Sequence, residues 1–229
     1  MAGTRRDGRK QNQIRPMEVE QGLLNRADGS SRFVQGNTSV LAAVYGPAPA
    51  KFSAQEKADR ARVEVDFREE KGFGSGLGAE MAMFLRRSLE GVILLAHYPR
   101  TVISIIVQVI IDDGAVLSTA LNAATVALIN AGVEMTALAL SVTCCVCSMP
   151  SRSIVLDPCK MEEDQACATT VLATENAVGG VLSSRATGAM SKEEYFACCE
   201  AAVLGSAAVR SFVRLSAEQK IRRELETIR

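Results

Sequence analysis

Several groups of residues have the types and spacing to do chemistry. Asp112-Asp113-Gly114 follows a Val/Ile run at 102–111 and precedes Ser118-Thr119 and an alanine-rich stretch that ends at Gly132. A strand–turn–helix junction of this kind aims free backbone N–H groups and the positive end of a helix dipole at the space before the helix, which suits phosphate. The residues that would line such a cradle are Ala115, Val116 and Leu117. None of them donates a side-chain hydrogen bond or carries positive charge, and an ordinary capped turn gives the same pattern. A second group is the acidic run Glu162-Glu163-Asp164, with Asp157 upstream. Paired carboxylates serve as general acid and base or hold Mg²⁺ or Mn²⁺, although acids also favour a plain helix start. Basic residues form a third group: Arg60, Arg62, Arg68, Lys71, Arg86, Arg87 and Arg100. They suit a nucleic-acid backbone if they share a surface, and the neighbouring Glu64, Asp66, Glu69 and Glu70 suit a solvated, ion-paired face instead. The one histidine, His97, reads as a helix C-cap rather than half of a catalytic pair.

The elements that must position these groups follow from periodicity. Residues 1–15 read as a basic, extended arm preceding one domain over 16–229. Arg32 to Tyr45 reads as two strands around Gln35-Gly36-Asn37, with Gly46-Pro47 stopping the second. Residues 48–60 read as a linker. Arg62 to Arg68 alternates, with Val63, Val65 and Phe67 facing inward. Lys71 to Gly78 is a glycine-rich loop, and Leu77 to Ala96 carries an apolar helical stripe. Val102 to Ile111 is apolar at both alternating sets of positions, the pattern of a strand covered on both faces. A helix over 118–131 precedes strands near 138–147, 153–157, 169–174 and 178–185. A last helix spans about 191–226, with a break expected near Gly205 or Ser216. This order predicts a mixed α/β (α+β) domain.

Composition narrows the function classes. Lys+Arg and Asp+Glu both number 26, so overall charge does not mark a nucleic-acid binder, and any such role rests on local patches. Aromatic content is 4% with no Trp, so base stacking is not a main source of affinity. The seven cysteines include Cys144-Cys145-Val146-Cys147 and Cys198-Cys199, spacings that fit neither disulfides nor a zinc site. They read as small buried hydrophobes of a reducing compartment. The basic N-terminus has no apolar stretch of the kind a secretory signal needs, and no run approaches ~18 apolar residues without a polar break. The expectation is an intracellular protein without a membrane span.

Taken in order, these pieces resemble the ribonuclease PH superfamily. The matching residues are Arg6-Asp7-Gly8-Arg9, Ile14-Arg15-Pro16, Asp28-Gly29-Ser30, Gln35 to Leu41, Tyr45-Gly46-Pro47, Tyr98-Pro99-Arg100-Thr101, Asp113-Gly114, Leu121 to Ala124, Asn130-Ala131-Gly132 and Val155 to Pro158. The family more often has aspartate where Asn130 stands. The likeness is strongest to the non-catalytic ribonuclease-PH-type ring subunits of the eukaryotic RNA exosome. It implies a ribonuclease PH fold with mixed sheets and packed helices. It also implies paralogous ring neighbours, cap proteins on the ring, single-stranded RNA as ligand, and a nuclear, nucleolar and cytoplasmic location. Active members bind phosphate through a Thr or Ser and an Arg soon after the Asp-Gly turn, positions that fall at Val116 and Leu117 here. Their paired aspartates fall at Glu163 and Thr169, and an active-site arginine falls at Met83. The resemblance thus implies a degenerate phosphorolytic site, no cofactor, RNA contacts through Arg68, Lys71, Arg86 and Arg87, and a homodimer when the chain is isolated. The alternative is a free-standing nuclease on RNA or DNA, residually phosphorolytic or using a divalent metal at Glu162, Glu163 or Asp164 with Lys71 near the scissile phosphate.

Overall fold

The computed structural model describes residues 5, 7–49, 56–70, 76–147, 152–175 and 180–228. Lys71, with the rest of 71–75, lies outside them, as do residues 50–55 of the expected linker. In chain order the elements are β1 (Met17–Gln21), β2 (Gly29–Gln35), β3 (Thr38–Pro49), β4 (Arg62–Arg68), α1 (Gly76–Glu90), β5 (Thr101–Ile111), α2 (Val116–Ala131), β6 (Ala139–Cys147), β7 (Ile154–Leu156), α3 (Lys160–Gln165), β8 (Ala166–Glu175), β9 (Val181–Gly188) and α4 (Lys192–Ile228).

Two sheets enclose α2. The first has the order β1-β2-β3-β5-β4, antiparallel except for β4 beside β5, which α1 connects as a parallel crossover. The second, β7-β6-β8-β9, is antiparallel throughout. Every residue of α2 from Leu117 to Leu128 is buried. Its alanines let it approach both sheets, and a Cβ on Gly29 of β2 would stand 2.3 Å from the Ala127 carbonyl oxygen. On β6, Thr143 hydrogen-bonds Ser118 of α2 while the adjacent Cys144 meets the Cys198 carbonyl of α4. Successive strand residues face opposite ways, so β6 lies between two helices, and all but its last residue is buried. By length and composition alone α4 is apolar enough to cross a bilayer, contrary to the reading of the sequence; in the fold its Cys198, Ala202, Val209 and Val213 are buried core. Phe212 of α4 meets Phe33 edge-on, with ring centroids 5.9 Å apart.

Several sequence expectations are corrected. Gly46-Pro47 does not stop β3: the peptide is cis, the register shifts there, and Ala48 and Pro49 pair again with β5. α1 ends at Glu90 rather than Ala96, and a short 3₁₀ turn at Leu95–His97 follows. α4 runs through Gly205 and Ser216 unbroken. β1, whose alternation is half-exposed, adds a strand the sequence did not announce. β5 is not covered on both faces: Ile110 is 39% exposed and Ile106 half-buried. The described part of the N-terminal arm packs on the domain, with Arg5, Arg9 and Arg15 all buried.

Candidate functional site

The buried arginines organise the site. Asp157, fully buried at the end of β7 with φ +51°, accepts hydrogen bonds from Arg15 Nε (3.0 Å), Nη2 (2.7 Å) and backbone N–H (2.7 Å). The same guanidinium donates to the Asp113 and Gly114 carbonyls at 2.8 and 3.1 Å. Arg15 therefore ties the turn before α2 to the strand before α3. Arg5 binds the Leu156 carbonyl (2.7 Å) and the Glu162 carboxylate (Nε at 2.8 Å), and Arg9 reaches the Asp157 carbonyl at 3.1 Å. Burial alone would raise the Glu162 carboxyl, but hydrogen bonds from Arg5 and from the Cys159 N–H outweigh it and hold Glu162 below the usual range.

This clamp sets the α2 N-terminus. Gly114 sits at φ +85°, and a Cβ there would meet the backbone of Cys159 and Lys160 at 2.6 Å. Ala115, the N-cap, is left-handed (φ 53°) and has no side chain to cap the helix. Ser118 and Thr119 do not cap it either; both hydroxyls turn back to the Ala115 carbonyl, at 2.8 and 2.9 Å. The Ala115 N–H is instead taken by Glu163, whose Oε1 accepts it at 2.8 Å. Burial raises the Glu163 carboxyl above its ordinary value, and the Ala115 N–H and nearby Lys160 offset this only in part. A protein carboxylate thus occupies part of the position that the dipole and free N–H groups offer to an anion.

The surrounding cleft, about 600 Å³, brings together Val116, Leu117, Glu163 and Thr169, four positions that are distant in sequence. It does not include Met83, which is 45% exposed and lines a separate groove of about 790 Å³ between β4 and α1. The α1 residues that do face the cleft are Leu77 and Met81, both apolar. Among the described residues two cations line it. Lys160 is bound to Asp112 at 2.9 Å, a hydrogen bond that holds the amine raised against the lowering effect of burial, and Arg185 is bound to Glu80 at 2.9 Å. Glu69, Glu70, Asp112 and Glu163 share the same walls, so among the described residues acidic groups outnumber basic ones. Sequence patterns gave no sign of Lys160 or Arg185, because each enters through a pairing across elements rather than a local motif.

The three acids of α3 diverge. Glu162 turns to Arg5, Glu163 to Ala115, and Asp164 is exposed. Among the described residues no group of three His, Cys, Asp or Glu side chains is placed to hold a metal ion, and the acids of α3 do not converge on one point. The basic residues are dispersed and mostly paired: Arg62 with Glu64 (3.1 Å), Arg68 with Asp66 (2.8 Å), Arg86 with Glu90 (3.6 Å) and Arg100 with Glu56 (3.7 Å). Arg62 and Arg86 share the groove with Met83, and Arg87 is exposed at the end of α1. His97 caps no helix; its Nδ1 lies 2.5 Å from Glu134. All seven cysteines are free, and burial raises the Cys144, Cys145 and Cys198 thiols, as expected of inert core residues.

Comparison with known proteins agrees with this architecture. The exosome complex exonuclease RRP46 homolog of Arabidopsis thaliana is 35% identical over 232 residues, covering 94% of this chain and 96% of that protein. The crystal structure of rice (Oryza sativa) Rrp46 superposes with a TM-score of 0.86 at 37% identity, covering 93% of this chain and all of that one. An archaeal exosome core subunit shares the fold at a TM-score of 0.77 and 18% identity, covering 91% of this chain and 90% of that one. Residues 13–134 match the first domain of the 3′ exoribonuclease family, RNase PH. The chain belongs to that family and has the RNase PH fold.

Proposed function

We propose that this chain is a non-catalytic, RNA-contacting ring subunit of an exosome-type complex, beside paralogous RNase-PH-like subunits and under cap proteins. Its relatives in Arabidopsis and rice are named as exosome RRP46 proteins, which supports the assembly. One observation carries the non-catalytic part: at the α2 N-terminus, Val116, Leu117 and the Glu163 carboxylate stand where phosphate would have to sit. A charge-assisted arginine–phosphate contact is worth about 1.5–3 kcal/mol. A positioned acid or base contributes roughly 10²–10⁴ in rate. Among the described residues both cleft cations are already paired, so the first of these contributions is not free for inorganic phosphate. Away from the ring the chain forms a homodimer, and it serves in RNA processing and degradation in nucleus, nucleolus and cytoplasm without a cofactor. Incubating the purified chain with single-stranded RNA and inorganic phosphate is expected to release no nucleoside diphosphate. Release that scales with phosphate would overturn the reading.

The word exonuclease in the relatives' names favours a second reading, hydrolysis of RNA or DNA in its own right. The same incubation without phosphate, with Mg²⁺ or Mn²⁺ and with Glu163→Gln as control, tests it. Metal-dependent cleavage lost in the variant establishes it, and no cleavage removes it.

A further inference from the structure

The α2 N-terminus carries a charge pattern that a phosphate site would not have. A helix N-terminus holds roughly half a positive charge, and an ionised carboxylate holds a full negative one. At Ala115 the Glu163 carboxylate takes the free N–H at 2.8 Å, so the seat as a whole is negative. Among the described residues neither cleft cation reverses that sign. Lys160 is held by Asp112 at 2.9 Å and Arg185 by Glu80 at 2.9 Å, while Glu69 and Glu70 line the same cleft. Glu163 is only half-buried, and one N–H fills one of the roughly four lone-pair positions of a carboxylate. Its remaining acceptor capacity borders a cleft of about 600 Å³, a volume that suits a small ligand.

The walls decide which cation fits. Leu77, Met81, Val116, Leu117 and Val171 are apolar and offer nothing to a metal ion. A hard divalent cation takes about six oxygens, and among the described residues no three His, Cys, Asp or Glu side chains converge. An ammonium is a compact, strongly hydrated charge that such walls would strip of water. A guanidinium is planar and weakly hydrated, and it pairs with a carboxylate through two N–H groups. An alkyl stem behind it covers apolar surface. The hydroxyls of Thr143, Thr169 and Thr187, in the same lining, add acceptors for its other donors. We propose that the cleft is a binding site for an alkylguanidinium, seated on the Glu163 carboxylate with its stem along Met81, Val116 and Leu117. This assignment rests on the non-catalytic reading and names what the cleft takes in place of phosphate.

Calorimetric titration of the full chain with N-butylguanidinium tests it against N-butylurea, a neutral ligand of the same shape. The cation is expected to bind at least ~10-fold tighter, the difference a charge-assisted pair makes. Its affinity should rise with pH, because burial raises the Glu163 carboxyl and only the ionised form attracts the cation. The Ala115 N–H, Lys160 and Arg15 pull that carboxyl down, Asp112 pushes it up, and Glu69, Glu70 and Arg185 share the cleft with it. Glu163→Gln should erase both the preference and the pH dependence, with circular dichroism showing that the variant is folded. N-acetyl-arginine amide binding as tightly as N-butylguanidinium assigns the seat to the side chain of a protein partner, and its failure beside a binding N-butylguanidinium assigns the seat to a free guanidine. Equal binding of the urea, a preference that survives Glu163→Gln, or no saturation by the cation overturns the assignment. Inorganic phosphate that displaces N-butylguanidinium overturns the non-catalytic reading with it, whereas no binding by either ligand overturns the cation site alone.

Discussion

At the scale of single residues, two buried carboxylates near the cleft behave in opposite ways. Burial keeps Glu163 above the ordinary value of 4.5, so the folded state holds this proton more tightly than the unfolded state does. Its contribution to stability is therefore present below pH 4.5 and is lost as pH rises through the elevated range. Glu163→Gln cannot lose a proton, so its stability relative to the unsubstituted protein should grow between pH 4 and pH 7, read as paired urea midpoints across that range. Glu162 lies below the same ordinary value, so its contribution is present above pH 4.5 and is lost as pH falls through the depressed range. Asp157 is different because it is fully buried against Arg15. Arg15→Met strands that carboxylate, and unfolding in urea should show a loss of about 3–5 kcal/mol. An unchanged midpoint would mean that Arg9 alone satisfies Asp157. The acids of this cluster stood out in the sequence, but their arginine partners did not. Arg5, Arg9 and Arg15 look like a solvated basic arm in sequence, and their partners lie far away along the chain.

At the scale of elements, the parts governed by local rules were readable. β4 alternates and buries Val63 and Phe67, and α2 begins within two residues of the expected start and ends at Gly132 with the αL cap that glycine favours. The errors came from tertiary context. Gly46-Pro47 breaks a strand by propensity, yet a cis peptide and a register shift let β3 continue. The apolar alternation of β5 misled, because Ile106 and Ile110 lie half-buried and exposed on its outer side, whereas that of β6 records α2 and α4 on its two faces. The four positions expected to define the degenerate site do converge, while the α1 position was misread at Met83 because a helical stripe does not reveal which turn reaches the cleft. Gly114 is the most constrained point of the site. Gly114→Ala demands a left-handed alanine whose Cβ meets the α3 backbone, and it should cost more than about 2 kcal/mol in thermal or urea unfolding. Full stability in that variant would show that α3 is free to move away from the turn.

At the scale of the whole molecule, the N-terminal segment acts as a strap across both halves of the fold. It holds the turn before α2 through Arg15 and the start of α3 through Arg5. Deleting residues 1–12 should leave both sheets intact but loosen α3. Faster amide exchange at 160–165 than at β6 checks this, and equal protection would show that α3 docks without the strap. The strap also has a timetable. Arg5 and the Glu162 it grips are 157 positions apart. At 5–20 residues per second a ribosome needs roughly 8–30 s to make that stretch. Throughout that interval Arg5 has no Glu162 to hold. That guanidinium is open to other partners until the stretch that carries Glu162 emerges.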